Sequence, residues 1–370
     1  MPNIEPVEIE RAEIERPEII FDASPLRYLH TGLGQFSFRL LSEFEKLPRD
    51  DFDLVAMVHP EYTSLVPPGV PIEKASFLRR HSPAIIQQLL LRRCQLWHMT
   101  TENTRLTGIP SSAQVILTIH GLHFLDEENG DIAARHLTKV QRLVNRATVI
   151  TAVSHFTAGL VREKLDLKDK QVEVIHNGIF FSDRSPARPA WAPDGKFIFS
   201  IGTFFKRKNF QVLLPMMIHL PDFKLVLAGN NHHSQGEVIR AEIIRLGLQS
   251  CVIMTGEISE AEKIWLFQQG EALVFPSVSE GFGIPVIESF YYGKPVFCSR
   301  YGSLPEVGGV HAFYWENFDP IQMSSLILKR LNEDQSEKKL TRMEYARRFS
   351  WANTAKKFYN LYRNVLKNSA

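Results

Sequence analysis

The chain has 370 residues, 44% of them hydrophobic and 23% charged, which is the composition of a globular protein long enough for two domains. Its 43 Lys and Arg nearly balance its 41 Asp and Glu, so no strong positive field would attract nucleic acid. No apolar run approaches the roughly 18 residues of a membrane span, and the acidic start is unlike a signal peptide, so a cytoplasmic location is expected.

Short apolar runs alternate along the chain with amphipathic segments of helical length. The runs that are predicted as strands are Glu18–Asp22, Gln114–Ile119, Ala147–Val153, Phe197–Ile201, Lys224–Ala228 and Ala272–Phe275. A helix between successive strands requires parallel pairing with right-handed crossovers, which gives doubly wound sheets covered on both faces. The predicted fold class is therefore α/β.

A linker is predicted around Ile175–Trp191, where the stretch HNGIFFSDRSPARPAWAPDG, with an Asn-Gly turn and three prolines, interrupts the alternation. It divides the chain into residues 1–177 and 178–370, and each half opens with a strand, a polar loop and a helix. Two Rossmann-like domains that face each other across a cleft account for this arrangement. The last segment, Ser350–Lys367, has apolar residues at near-helical spacing and is predicted to be a closing helix.

Phe77–Met99 combines two Arg pairs with Leu, Ile and Trp. This composition is typical of an amphipathic helix packed on a core, and it also leaves open peripheral contact with an anionic membrane. The three cysteines, Cys94, Cys251 and Cys298, have the spacing of neither a disulfide framework nor a zinc site, so they are expected to be small buried hydrophobes.

The most informative stretch is EGFGIPVIE, Glu280–Glu288, which follows the predicted strand Ala272–Phe275 and a short polar loop. Gly281 and Gly283 allow the backbone to approach a ligand closely, and Pro285 suits the first turn of a helix. The unpaired N–H groups and the positive end of the dipole at such a helix start favour an anion.

The two acids of this stretch are candidate ligand-binding groups. A helix that begins near Phe282 places Glu280 at its mouth and Glu288 about two turns in, so the carboxylates would reach separate parts of one extended ligand. The alternative is that Glu280 only caps the helix and that Glu288 is solvated.

Two further loops carry groups that suit phosphate. In GTFFKRKN, Lys206, Arg207 and Lys208 follow a predicted strand, and an ammonium group there can neutralise a diphosphate leaving group, although a solvated basic turn is the alternative. In HTGLGQ, Gly32 and Gly34 would let backbone N–H groups reach phosphate oxygens, or they would simply form a tight turn.

Histidines mark the end of another predicted strand. His120 ends the apolar run VILTIH at the edge where doubly wound folds bind ligands. His123 and Asp126 are nearby candidates for contact with the ligand, with a role on the protein surface as the alternative. His232 and His233 are adjacent and have no third ligand at a suitable spacing, so no metal site is predicted there.

Taken together, these motifs resemble a known family. EGFGIPVIE is similar to the signature of family 4 retaining glycosyltransferases with the GT-B fold, in which seven residues separate two glutamates. The resemblance extends to FYYGKPVFCSRYGSLPEVGG downstream and to IGTFFKRKN, AGN, VSHFT and HNG upstream. The N-terminal half is similar only at HTGLGQFS and TIHGLHFLD.

The resemblance implies a GT-B fold with an acceptor-binding domain at 1–177 and a donor-binding domain at 178–370. It implies that Gly32 and Gly34 contact the phosphates of the donor, that Lys208 contacts the diphosphate, and that Glu288 contacts the ribose. The residues that it places against the sugar are His120, Glu280, Gly281, Phe282, Gly283 and Ile284. Relatives often carry a second base where Thr203 stands here, so Arg207 or Lys206 substitutes for it or that contact is missing.

The function that the resemblance implies is retaining transfer of a hexosyl group from a GDP-sugar or UDP-sugar to a glycan or lipid-linked acceptor, with His120, Lys208 and Glu280 as the catalytic residues. No metal and no cofactor are expected. The SLPEVGG segment is similar to mannosyltransferases of surface-polysaccharide assembly and favours GDP-mannose. The alternatives are a sugar-nucleotide 2-epimerase of the same fold and a noncatalytic subunit that binds a nucleotide-sugar.

Overall fold

The computed structural model describes residues 16–29, 31–48, 50–74, 94–104, 109–180, 184–232, 234–333 and 336–368. In this part of the chain, two parallel sheets form, one from each half. The first has the strand order β3-β2-β1-β4-β5-β6-β7. Its strands are β1 (Glu18–Asp22), β2 (Asp53–Val58), β3 (Ile72–Lys74), β4 (Leu96–Met99), β5 (Gln114–Ile119), β6 (Val149–Ala152) and β7 (Val172–Val174).

Helices cover both faces of this sheet. They are α1 (Gly32–Phe44), α2 (Phe124–Glu127), α3 (Gly130–Arg146) and α4 (His155–Lys164). Successive residues of β1 point to opposite faces: Ile19 and Phe21 enter one apolar core and Ile20 enters the other. The strand order reverses between β1 and β4, and the carboxyl ends of strands at such a reversal are where doubly wound sheets bind ligands.

The second sheet has the order β10-β9-β8-β11-β12-β13. Its strands are β8 (Phe197–Ile201), β9 (Lys224–Ala228), β10 (Val252–Gly256), β11 (Ala272–Phe275), β12 (Val296–Cys298) and β13 (Phe313–Tyr314). The helices of this half of the chain, between the strands and after the last of them, are α5 (Leu213–Met217), α6 (Ser234–Arg245), α7 (Glu260–Gln269), α8 (Ile284–Tyr291), α9 (Leu304–Gly308), α10 (Pro320–Leu331), α11 (Ser336–Ala346) and α12 (Trp351–Lys367).

The predicted α/β class with two Rossmann-like domains is confirmed, and most predicted strands have the predicted bounds. The run Ala147–Val153 is shorter as a strand, Val149–Ala152, because the Ala147 N–H still donates to Leu143 O of α3. Cys94 and Cys298 are buried free thiols, and Cys251 is partly buried.

The last helix, α12, packs against the first sheet although the chain has by then passed through the second. Trp351, Phe358 and Tyr362 lie in the same apolar core as Ile19 and Phe21. The Ser350 side chain accepts the Asn353 N–H at 3.2 Å, which caps the helix at its start. The division at residues 177 and 178 stays a prediction, and α12 ties the two halves together by packing.

One sequence expectation was partly wrong. Of the segment Phe77–Met99, residues 77–93 lie outside the described residues, and Leu96–Met99 is the buried strand β4 rather than part of a helix. Its register against both β1 and β5 requires an extended backbone. None of the helices in the described ranges is long and apolar enough to cross a membrane.

Candidate active site

The glycine-rich loop before α8 forms as the sequence indicates, but the helix begins later. Gly283 has a φ of 93°, a left-handed conformation that L side chains rarely adopt, and α8 starts at Ile284 with Pro285 in its first turn. Glu288 therefore lies about one turn into the helix rather than two. Glu280 lies three residues before the N-cap, so it does not cap the helix.

Glu280 and Lys208 form a buried ion pair at the mouth of α8. Lys208 Nζ lies 2.5 Å from Glu280 Oε1, and both residues are less than 10% exposed. Burial alone raises the pKa of Glu280, but the Lys208 ammonium group outweighs it, so the pKa lies below its ordinary value. The Glu280 carboxyl group is thus ionised at neutral pH.

The backbone near β8 provides the space for this lysine. Lys208 ends a 3-10 turn, Lys206–Lys208, and its Nζ lies 4.8 Å from the centre of the Phe275 ring. A Cβ on Gly202 would lie 3.1 Å from Lys208 Cε, so glycine at this position leaves room for the lysine stem. The side chain is fixed by its surroundings before any ligand binds.

Glu288 is paired with a residue that the sequence did not single out. Lys263 of α7 lies 2.7 Å from Glu288 Oε1 and 3.6 Å from Glu260. Burial alone lowers the pKa of Lys263, but the two carboxylates outweigh it and the pKa lies above its ordinary value. Arg39 of α1 interacts electrostatically with Glu260 and Glu288, so the first domain contributes charge to this part of the site.

His120 is held in one orientation at the end of β5. Its Nε2 lies 2.9 Å from Thr100 O, and because a carbonyl only accepts, Nε2 carries the proton. The edge of its ring contacts Phe36 at a centroid distance of 4.7 Å. Burial lowers the pKa of His120 to about 4, so the imidazole is neutral and Nδ1 is an acceptor.

The buried carboxylate of Glu102 fixes the backbone of the same histidine. Glu102 Oε2 accepts the His120 N–H at 3.0 Å, and burial raises the pKa of Glu102 to about 7. Glu102 follows β4, at the point where the strand order of the first sheet reverses. No sequence motif points to Glu102, because a single glutamate after an apolar run is common on protein surfaces.

The two domains touch directly at the glycine-rich loop. A Cβ on Gly281 would overlap the carbonyl oxygen of His120, so the backbones approach as closely as glycine permits. Ser154 Oγ donates to Gly281 O at 2.7 Å, and Thr157 Oγ1 donates to the same oxygen at 3.2 Å. His123 Nδ1 lies 3.1 Å from Ser279 Oγ, across the same boundary.

Arg207 also contacts the opposite domain. Its guanidinium pairs with Glu127 of α2, beside the candidate Asp126, and stacks over the Phe205 ring at 4.6 Å. The cation at this position is thus partly buried and paired with the other domain, unlike the cation of a fully solvated basic turn. Whether it also contacts a donor stays a prediction.

The remaining candidates lie around the same opening. The Gly34 N–H donates to Thr31 Oγ1 at 3.3 Å, and a Cβ on Gly34 would overlap Tyr28 O, which is a packing reason for this glycine. A Cβ on Gly32 would meet no heavy atom within 4 Å, so its backbone borders open space. Phe282 is buried near His176, with ring centroids 5.8 Å apart.

Two family models match the chain in succession. "Glycosyltransferase Family 4" matches residues 58–181 and "Glycosyl transferases group 1" matches residues 181–348. O-antigen chain mannosyltransferase B of Escherichia coli is 25% identical to this chain, over 94% of this chain and 99% of that protein. The chain is a family 4 glycosyltransferase.

Solved structures agree with this fold. Sucrose-phosphate synthase of Thermosynechococcus elongatus matches with a TM-score of 0.73 and 17% identity, over 95% of this glycosyltransferase and 100% of that chain. Anabaena HepE in complex with UDP and glucose matches with a TM-score of 0.72 and 16% identity, over 94% of this chain and 99% of that chain. The architecture of this glycosyltransferase is thus the two-domain GT-B arrangement that its sequence resembles.

Proposed function

We propose that this glycosyltransferase moves a hexosyl group from a nucleoside-diphosphate sugar to a glycan or lipid-linked acceptor, with net retention at the anomeric carbon. The observation that carries the proposal is the buried Lys208–Glu280 pair at the start of α8. An ammonium group, a carboxylate and the N–H groups of a helix start converge there. The cation and the helix start suit a diphosphate, and the carboxylate suits sugar hydroxyls.

In this mechanism, Lys208 binds the diphosphate, and Glu280 with the backbone of residues 282–284 binds the sugar. Breaking the bond between sugar and phosphate builds negative charge on the departing diphosphate and positive charge on the sugar ring. A fixed ammonium group and a helix N-terminus stabilise that negative charge more in the transition state than in the ground state. The acceptor oxygen attacks from the leaving-group face, and a phosphate oxygen takes its proton.

One further carboxylate, that of Glu288, and one imidazole, that of His120, would complete the donor site. Glu288 would accept the ribose hydroxyls, and Lys263 would hold its carboxylate in place. His120, neutral and with Nδ1 as its acceptor, would receive a hydrogen bond from a sugar hydroxyl. Gly32 and Gly34 would face the phosphates from the first domain.

The proposed reaction needs no metal ion. It also needs no cofactor, since the nucleotide-sugar is a substrate. Lys208, Arg207 and the start of α8 would neutralise the diphosphate in place of a divalent cation. The expected result is a transfer rate, measured with purified donor, that added magnesium or manganese does not raise. A rate that falls with EDTA and returns with added magnesium would contradict this part of the proposal.

GDP-mannose is the favoured donor, and the group transferred is then a mannosyl group. The SLPEVGG segment and the similarity to a relative named O-antigen chain mannosyltransferase B support this choice. A UDP-sugar is the alternative, since HepE was solved with UDP and glucose. Thermal shift with GDP, UDP, GDP-mannose and UDP-glucose separates the two, because the ligand that binds the folded state best raises the melting temperature most.

A lipid-linked acceptor would bring transfer to a membrane surface, and the proposal then includes peripheral contact at its cytoplasmic face. Flotation with vesicles that contain anionic lipid tests this contact. Co-migration that weakens with salt would support it, and protein that stays at the bottom of the gradient at low salt would contradict it.

The decisive experiment for the reaction uses Lys208→Met, which keeps the stem and removes the charge. We expect transfer to fall about 100-fold or more, as when a group that stabilises transition-state charge is lost. Lys196→Met, the same change at an exposed lysine just before β8, is the matched control and should keep its rate. An unchanged rate in Lys208→Met would refute the role of Lys208.

The reaction products distinguish the two alternatives. Binding of donor with no transfer across a broad acceptor panel would favour a noncatalytic subunit. Conversion of the donor sugar in the absence of any acceptor would favour an epimerase.

A further inference from the structure

A second polar cluster lies where the two domains meet, behind the glycine-rich loop. His155 is the first residue of α4, His176 follows β7, and Glu306 lies in α9 of the other domain. One ligand-type atom from each side chain lies within 4.8 Å of those of the other two. The proposed mechanism uses none of these three side chains.

The carboxylate of this cluster is already oriented by the opposite domain. Glu306 Oε1 accepts the His155 N–H at 2.9 Å, and Oε2 accepts the Phe156 N–H at 3.1 Å. His176 Nε2 lies 2.7 Å from Oε1. Backbone donors that fix a carboxylate in this way are a common second shell of protein metal sites.

We propose that His155, His176 and Glu306 bind one divalent transition-metal ion, for which zinc is the best match. Two imidazole nitrogens and one carboxylate oxygen are the ligand set that zinc accepts, with water in the fourth position. His155 is exposed and the other two are half-buried, so water and the ion can reach the cluster. Binding to His176 Nε2 requires the neutral tautomer with its proton on Nδ1, so the ion takes the place of the hydrogen bond between Nε2 and Glu306.

The geometry requires only small movements. Ligands at about 2.0 to 2.1 Å from a tetrahedral zinc ion stand about 3.3 Å apart, so His176 and Glu306 must separate slightly. The exposed His155 ring must turn inward, and its centroid already lies 5.9 Å from that of His176.

An ion at this position would join the two domains. Glu306 belongs to the second domain and His155 to α4, whose first turn also contacts Gly281 O through Thr157. The ion would therefore stabilise the closed arrangement of the glycine-rich loop against α4. This inference does not depend on the identity of the donor or on the catalytic role of Lys208.

The test uses the full chain without a histidine tag, stripped of metal by a chelator. Titration with Co²⁺, followed by its visible absorption, is expected to show one equivalent bound per chain, and Zn²⁺ is expected to displace it. His155→Ala removes the imidazole but keeps the backbone N–H that Glu306 accepts. We expect it to weaken Co²⁺ binding at least tenfold.

His219→Ala, which removes an exposed histidine elsewhere, is the matched control and should bind Co²⁺ as the wild type does. One equivalent of Zn²⁺ should also raise the melting temperature of the wild type and leave that of His155→Ala unchanged. Absence of stoichiometric binding, or equal affinity and equal thermal shifts in wild type and His155→Ala, would overturn the proposal.

Discussion

At the scale of single residues, the candidate donor site consists of charges that compensate each other before a ligand binds. Lys208 pairs with Glu280, and Lys263 pairs with Glu288, each within 2.7 Å. A buried carboxylate without its cation would be strongly disfavoured, so each lysine holds its glutamate side chain in place. A diphosphate would compete with Glu280 for Lys208 and leave that carboxylate free for sugar hydroxyls.

Glu280→Gln tests this division of roles. The amide keeps the shape of the side chain but removes its charge, so we expect donor turnover to fall while affinity for the nucleoside diphosphate stays the same or rises. Steady-state rates and calorimetric titration measure the two quantities. Glu288→Gln should show the reverse pattern, with the larger loss in nucleotide affinity. An equal loss of both in Glu280→Gln would indicate general damage to the pocket.

Glu102 makes stability depend on pH in a predictable direction. Its pKa of about 7 in the folded protein lies above the ordinary 4.5, so between these values the folded state keeps a proton that the unfolded state releases. Its contribution to folding stability is therefore full at pH 4.5, is lost as the pH rises to 7, and is constant above that. The shift corresponds to roughly 3 kcal/mol.

Glu102→Gln removes this titration and keeps an oxygen that accepts the His120 N–H. Denaturant midpoints of both proteins at pH 5 and pH 8 measure the effect. We expect the wild type to lose stability relative to Glu102→Gln between the two pH values. Parallel behaviour of the two proteins would show that Glu102 does not hold its proton in this window.

The sequence was sufficient for residues that act through a local motif and insufficient for those that act at a distance. Glu280 and Lys208 lie in strings with glycine, proline or clustered cations, and the structure brings them together. Lys263 and Glu102 carry no such local pattern. Their partners lie 25 and 18 positions away, and only the packing of α7 on α8 and the pairing of β4 with β5 bring them together.

At the scale of secondary-structure elements, the loop before α8 acts as the contact between domains. Gly281 lies against the His120 carbonyl, so any side chain there would push the two domains apart. We expect Gly281→Ala to reduce transfer at least tenfold, because the catalytic groups of a closing site must be correctly placed to about 1 Å. Binding of the nucleoside diphosphate to the second domain should persist.

The control for this prediction is Gly159→Ala in α4, where an added Cβ would meet no heavy atom within 4 Å. Transfer assays and small-angle X-ray scattering compare the two variants. Gly281→Ala should have a larger radius of gyration than Gly159→Ala. Normal turnover with an unchanged radius in Gly281→Ala would show that the close contact is dispensable.

The last helix is a second element whose role depends on long-range packing. Tyr362 of α12 is fully buried, and its hydroxyl lies 2.5 Å from His98 Nδ1 in β4, while His98 Nε2 lies 2.8 Å from Thr118 Oγ1. Burial lowers the pKa of His98 to about 3, so the imidazole is neutral and needs partners at both nitrogens. The periodicity of Ser350–Lys367 predicted the helix but not the sheet that it covers.

Tyr362→Phe should destabilise the protein by about 1 to 3 kcal/mol, because it leaves one buried nitrogen of His98 without its partner. Tyr359→Phe, which removes a partly exposed hydrogen bond to Asp51, should cost less. Chemical denaturation of the two variants measures the difference. Equal stability of Tyr362→Phe and the wild type would contradict the structural role of this contact.

At the scale of the whole molecule, two Rossmann-like domains meet along a boundary lined with polar groups from both. The glycine-rich loop, the Arg207–Glu127 pair and the Glu306 carboxylate each bridge it. Two parallel sheets with helices on both faces followed directly from the alternating pattern of the sequence. The way in which the two sheets meet could not be predicted in this way, because it depends on contacts between residues 80 to 156 positions apart.

The central claim is that an activated sugar binds between these domains with its diphosphate at Lys208 and the start of α8. A crystal structure with the intact nucleotide-sugar tests it most directly. The account predicts phosphate density within hydrogen-bonding distance of Lys208 Nζ, the sugar beside Glu280 and the ribose beside Glu288. Phosphate density outside this region, with Lys208 still paired to Glu280, would contradict it.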